Sequence, residues 1–213
     1  MEEQFSVEQF FDLSNISFAD IFDGCAFVWD ALKKLDGYVK DQFDSGKTKA
    51  NYKDKQYVFV GQGSTIHESV DIQGPTIIGK NCTISHAALL RGTCLLGDGV
   101  HVGHASEIKD SVLLNNAISA HLNYIGNSII GNNVNIAGGA ALANFRFDRK
   151  PVVVRSKDKK IDTGLEKFGA VVGDNSWVGV NAVLNPGTLL GKESIVYPLQ
   201  VVKGSHPNNT IIR

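Results

Sequence analysis

Aliphatic residues recur at every sixth position through most of this chain. Val60, Ile66, Ile72, Ile78, Ile84, Leu90, Leu96, Val102, Ile108 and Leu114 share one register. The register slips by one at Ile125 and Ile130 and continues through Ile136 and Leu142. It is interrupted between Phe145 and Gly169, then runs again from Val172 to Val202. Four places after most of these aliphatics stands a small or β-branched residue, such as Ser64, Val70, Thr76, Cys82, Ala88 or Cys94. A period of six matches neither a helix nor a simple strand and marks a repeat architecture. Each unit reads as a short strand and a turn, so three units would close one triangular coil of eighteen residues. The aliphatic points inward onto its equivalents in the coils above and below, and small residues fill the corners.

The first fifty residues follow another pattern. Seven of the eleven phenylalanines lie before Lys47. Ser6 and Gln9 have the spacing that opens a short helix, and Ser17 is placed to cap a second. From there Phe18, Ile21, Phe22, Cys25, Val28, Trp29, Leu32, Leu35 and Val39 follow helical spacing, which predicts one long amphipathic helix ending near Phe43. Its apolar face, with Phe18, Phe22, Trp29 and Leu32, is expected to pack on the early coils and cap the open end of the solenoid, where strand edges are otherwise exposed. The predicted organisation is a helical segment over 1–50, a solenoid over 56–204 with a loop insertion at 148–169, and a tail over 205–213.

Composition narrows the setting. The formal net charge of the 213 residues is -1, which gives no overall argument for nucleic acid or an anionic membrane. No apolar run of membrane-spanning length occurs, and the acidic start MEEQFSVEQF lacks the features of a signal peptide. A cytoplasmic location is expected. Cys25, Cys82 and Cys94 form no paired motif and read as structural thiols.

Candidate chemistry begins with Arg91 and Lys109, eighteen residues apart and each directly after an inward aliphatic. They should stack on one face, one strand spacing of about 4.8 Å apart. Two such cations suit an anion held between them; on spacing alone, a pair of solvated surface cations remains equally open.

The six-residue period resembles the hexapeptide-repeat acyltransferases, whose coil is a left-handed parallel β-helix. The segments HLNYIGNSIIG, NIAGGAALAN, ANFRFD and GLEKFGAVVGDN sharpen this. They resemble the C-terminal acetyltransferase domains of bacterial N-acetylglucosamine-1-phosphate uridyltransferase/glucosamine-1-phosphate acetyltransferase and of archaeal-type sugar-1-phosphate nucleotidyltransferases. The resemblance implies an N-acetyltransferase that uses acetyl-CoA on glucosamine- or galactosamine-1-phosphate, assembled as a homotrimer and requiring no metal for acetyl transfer. Arg91, Lys109 and Lys150 would neutralise the sugar phosphate. Tyr124, Asn135 and Asn144 would hold the sugar and orient its amine, with Glu107 beside it. His121 would be the general base, a task suited to the side chain that titrates near neutrality. Backbone N–H groups of the turn Ala137, Gly138, Gly139, Ala140 would stabilise the oxyanion. Val180 and Pro198 fall where the bacterial enzyme has small CoA contacts, and Phe145 replaces a tyrosine. The tract KPVVVRSKDKK in the insertion is either a site for the CoA phosphates or a solvated loop. The relatives also carry an N-terminal nucleotidyltransferase domain with a glycine-rich loop, and the first fifty residues here contain none; nucleotidyltransferase activity is therefore not expected.

Two other readings stand beside this one. His86, His104 and His121 would suit a zinc-dependent carbonic anhydrase of the same fold, although that family's paired histidines five apart are missing. Phe145, Val180 and Pro198 would suit a catalytically degenerate trimer kept for binding or structure.

Overall fold

The computed structural model describes residues 3–156 and 159–213. Its main body is mainly β, a left-handed parallel β-helix. Among the described residues, strands lie on three faces of a triangular prism. The third face is a sheet of eight parallel strands from Thr65–Ile66 to Ile211–Ile212. The first and second faces join into a sheet of thirteen strands, because Leu89–Leu96 and Glu107–Leu113 run unbroken round the corner between them. Leu90, Ile108, Ile125, Leu142, Leu184 and Val202 stack inward on the first face. Asparagine serves several corners that need a positive φ, including Asn116, Asn133 and Asn181.

Three sequence expectations change. The register slips earlier than read: Leu113 points inward, whereas Leu114 packs outside in the flanking core. Two consecutive coils are thereby shortened to seventeen residues, as the pairings Ile108↔Ile125 and Ile125↔Leu142 record. The residues read as a tail, 205–213, add two further strands, Ser205–His206 and Ile211–Ile212. The loop insertion contains an antiparallel hairpin, Val153–Ser156 with Lys159–Asp162.

The N-terminal segment differs most. Val7–Phe10 forms helix α1 behind Ser6, but no side-chain hydrogen bond caps it. The long helix predicted from Phe18 is two pieces: a 3-10 turn, Ala19–Phe22, and helix α2, Asp30–Asp44. Gly24 breaks the run with φ +69, and the Phe27 N–H donates to Asp30 Oδ2 (2.9 Å), closing the turn that starts α2. Nor does the segment cap an open end. It lies along the second face, where Phe18, Phe22 and Trp29 share a core with Leu95, Val112, Ile129, Val171 and Leu189. Those five aliphatics pair with one another coil by coil and point outward. Val152, Val154 and Phe168 from the insertion complete this core, with the Trp29 and Phe168 rings 6.2 Å apart. Polar anchors reinforce the seam: Asp12 N–H donates to Asp174 Oδ2 (2.7 Å), and Asn132 Nδ2 donates to the Asp12 carbonyl (2.9 Å).

Cys82 and Cys94 are buried free thiols at the small inward positions, as their spacing implied. Burial pushes the Cys94 thiol up to about 12, which leaves it protonated and unreactive. No helix among the described residues is long and apolar enough to cross a membrane.

Candidate active site

The first face carries a compact charged cluster. Strand alternation turns Ile108 inward and Glu107 and Lys109 outward. Arg91 lies beside Lys109 in the neighbouring strand, as their spacing predicted, and Tyr124 lies over Glu107 on the other side. Arg91 Nε donates to Glu107 Oε1 (2.6 Å), and Lys109 Nζ pairs with Asp110 Oδ2. Gly126 sits over Lys109, and the place a side chain would fill is taken by Tyr124 Oη and Asn144 Nδ2, 2.6 and 2.8 Å from a Cβ built there. Asn144 Nδ2 donates to Asn127 Oδ1 (2.6 Å). Burial and the Glu107 carboxylate push the Tyr124 phenol up, so it stays a neutral donor at ordinary pH.

Asp110 and Asn127 belong to this cluster, and the sequence reading missed both. They occupy the same corner in successive coils, each with φ near +45°. Asp110 Oδ1 also accepts the Thr93 N–H (3.0 Å), and Thr93 Oγ1 donates to Asp36 Oδ1 of α2 (2.7 Å). A chain of contacts thus links the flanking helix to Lys109. The signal for Asp110 was its place directly after Lys109, but only the seventeen-residue coils bring Asn127 and Asn144 into line with it.

His121 stands at the corner where the third face turns into the first. It is two faces from Lys109 along the chain, yet in space it borders the same face one coil on. Its ring stacks on His104 (5.5 Å, 19°), which stacks on His86 (4.9 Å, 9°). On the other side Gly138 meets the imidazole: a Cβ there would collide with Nε2 and lie 2.7 Å from Cδ2. Gly138, Val180 and Pro198 succeed one another up the same corner, two places after the paired residues Ile136, Val178 and Val196. The corner is thus an imidazole followed by a strip of glycine, valine and proline.

The turn after Ile136 was expected to offer several N–H donors to an oxyanion. Three are already used: Ala137 N–H donates to Val178 O (2.9 Å), Gly139 N–H to His121 O (3.0 Å) and Ala140 N–H to Ala137 O (3.3 Å). Gly138 keeps the one N–H of this turn without a described partner, and it is the residue against the His121 ring.

Two predicted residues lie apart within one chain. Asn135 points outward on the third face between Ile118 and Trp177, both exposed. Lys150 is exposed in the insertion, where its N–H donates to Asp148 Oδ1 (3.3 Å). Its tract KPVVVRSKDKK is folded where described, but Lys157 and Asp158 lie outside the described residues. Phe145 is half-exposed and bridges to Lys167. Among the described residues no group of three histidine, cysteine or acidic side chains has the geometry to hold a metal, and the histidine column stacks face to face instead.

The family model for the GMPPB C-terminal domain matches residues 72–212. The chain belongs to that family. A stretch of 82 residues is 42% identical to the bifunctional sugar-1-phosphate nucleotidylyltransferase/acetyltransferase of Sulfurisphaera tokodaii. That stretch is 38% of this chain and 20% of the relative. The bifunctional protein GlmU of Methanococcus aeolicus is 45% identical over 74 residues, 35% of this chain and 18% of the relative. The chain therefore spans about a fifth of the length of these relatives. Among solved structures, the acetyltransferase domain of PglB from Neisseria gonorrhoeae is similar with a TM-score of 0.36 at 16% identity, covering 70% of this chain and 53% of that one.

Proposed function

We propose that this chain is an acetyl-CoA-dependent N-acetyltransferase acting on an amino-sugar 1-phosphate, glucosamine- or galactosamine-1-phosphate. The observation that carries the proposal is the first-face cluster of two cations and two carboxylates, Arg91 with Glu107 and Lys109 with Asp110, bordered by His121. An amino-sugar phosphate carries an anion and an ammonium together, and such a cluster suits both. The phosphate draws Arg91 and Lys109 from their carboxylates; Glu107, so released, faces the amine. Charge-assisted pairs of this kind contribute about 1.5–3 kcal/mol each. Tyr124, Asn144 and Asn127 offer neutral partners to sugar hydroxyls. The names of the relatives, which include acetyltransferase and sugar-1-phosphate activities, support the reading.

In the reaction the ammonium first gives up one proton to solvent, and the lone pair of the free amine then attacks the thioester carbonyl carbon. His121 takes the proton lost by the amine, the carbonyl oxygen becomes an oxyanion facing the Gly138 N–H, and collapse expels the CoA thiolate. The strip of Gly138, Val180 and Pro198 is the proposed bed for the acyl-donor arm, Ala137, Gly139 and Ala140 shaping its start.

A homotrimer is part of the proposal. Ile118, Trp177, Val180, Ile195 and Leu199 are exposed on the third face and its corner. This apolar strip fits a second copy of the chain, and Asn135, in its midst, would then serve a site between protomers. Lys150 would reach the phosphate across the same boundary. Light scattering that gives a monomer at micromolar concentration would remove this part.

The decisive test is release of free CoA thiol from acetyl-CoA in the presence of each amino-sugar phosphate. Turnover with one of them is expected. Calorimetric binding of acetyl-CoA without turnover on any acceptor would replace the enzyme with a binding protein.

A further inference from the structure

At the corner before the first face, the inward position is filled in successive coils by Ala88, Ser106, Asn123, Ala140 and Ala182, all buried. Alanine at three of the five shows that the coil itself needs no amide there. A buried amide is unfavourable unless each of its groups is paired, and Asn123 pairs all of them. Its Oδ1 accepts the His121 N–H (3.1 Å) and the Ser119 hydroxyl (3.0 Å). Its Nδ2 donates to the carbonyls of Ala137 (2.7 Å) and Ala140 (3.3 Å).

These partners belong to two segments: the corner that carries His121, and the turn one coil on that carries Gly138. From the outside the same segments are joined by the Gly139 N–H to the His121 carbonyl. One side chain beneath the surface therefore fixes the separation between the proposed base and the proposed oxyanion donor. We infer that Asn123 is a positioning residue that holds His121 and the Gly138 N–H in register for acyl transfer. The inference rests on the roles proposed above for His121 and Gly138. Catalysis that depends on such registry is sensitive to small displacements, and a shift of about 1 Å can cost roughly a hundredfold in rate.

The experiment compares Asn123→Ser and Asn123→Thr with Ser119→Ala. The Asn123 variants replace an amide that donates twice with a hydroxyl that carries one proton, so at least one of the two carbonyls loses its donor. Ser119→Ala removes one partner of Asn123 and leaves its bonds to His121 and the turn. Asn123→Ser is expected to lower kcat by roughly ten- to a hundredfold, with KM for the sugar phosphate changed less than about twofold, because the phosphate is held on the first face. Asn123→Thr has a hydroxyl that can still accept the His121 N–H, and it keeps the comparison possible should the serine variant fail to fold. Ser119→Ala should keep its kcat whatever its melting temperature. Wild-type kcat in a folded Asn123 variant, or a fall in kcat that simply follows melting temperature across all three, overturns the inference. If the wild-type chain itself turns over no amino-sugar phosphate, the functional reading fails separately. The positioning role is then read from the Gly138 amide and His121 ring resonances, which should move in the Asn123 variants and not in Ser119→Ala; resonances that stay in place overturn it.

Discussion

The first and second faces of the β-helix share strands, yet they meet opposite surroundings. In Glu107–Leu113 the early residues Glu107 and Lys109 point out from the first face, and Val112, three places later, points out from the second. The second face is buried on both sides, under α1, α2 and the insertion hairpin. The first face carries no such cover, and its middle coils turn Arg91, Glu107, Lys109 and Tyr124 outward, with apolar Val183 and Val201 farther along. Inward packing is the same in both. The outward residues alone therefore decide whether a face becomes interior or becomes a site, and the helical segment leaves the first face open by occupying the second. The contrast is not complete separation, since Asp36 and Thr93 connect the covered face to the cluster on the open one.

Breaking the chemistry of the open face should give the largest effect. His121→Ala is expected to lower kcat by roughly 10²- to 10⁴-fold and to leave sugar-phosphate affinity nearly unchanged. A variant with near-normal turnover that had lost bound zinc would transfer the assignment to the zinc-dependent carbonic anhydrase reading.

Charge placed on the two faces should separate them by stability. Val112→Asp puts a carboxylate into the flanking core and is expected to destabilise the fold by about 3–5 kcal/mol. Val201→Asp, on the exposed part of the first face, should stay within about 0.5 kcal/mol. Equal losses in chemical denaturation would mean that the first face is also covered.

Arg91→Ala removes one charge-assisted contact of about 1.5–3 kcal/mol, which corresponds to a rise of about ten- to a hundredfold in KM. It should leave kcat nearly intact, the reverse of His121→Ala. A fall in kcat with unchanged KM would move Arg91 out of phosphate binding.

The smallest effect concerns the link between the faces. Hydrogen bonds from Lys40 and then Thr93 hold the Asp36 carboxyl below its usual range. A carboxyl lowered in the folded state contributes stability above its unfolded pKa, near 4, and loses it as pH falls through the folded value. Its side chain is 59% exposed, so solvent weakens the effect. Between pH 5 and 3, roughly the carboxylate range, Trp29 fluorescence should report loosening of α2, and less of it in Asp36→Asn. Identical titrations would remove Asp36 from the seam.

Much of this was legible in the sequence, for a physical reason. Inward stacking repeats the same contact in every coil, so Leu90, Ile108 and their equivalents leave a periodic trace. Arg91 and Lys109 could be paired because a coil of known length converts separation along the chain into adjacency. The covered face also left a trace, which was passed over. Ile77-Ile78, Leu95-Leu96, Val112-Leu113, Ile129-Ile130, Val171-Val172 and Leu189-Leu190 are adjacent aliphatics at one place in each coil. Neighbours in a strand point to opposite sides, so each doublet announces a face that is apolar inside and out. The helical segment was legible in its aromatic content but not in its destination. Its apolar side would suit an open end as well as a flank, and only that column of doublets selects the flank.

What the tertiary structure alone decided is the alignment of residues whose spacing departs from eighteen. Shortened coils set Asp110, Asn127 and Asn144 in one corner, and bring Asn123 beneath both His121 and the turn of Gly138. The insertion carries the same corner from Gly138 to Val180 across forty-two residues. The sequence determined the period, the inward register and the apolar doublets, because each depends on local alternation of the backbone. The partners of Asn123 and Lys109 depend on where each coil is shortened, and that is settled only when the coils stack.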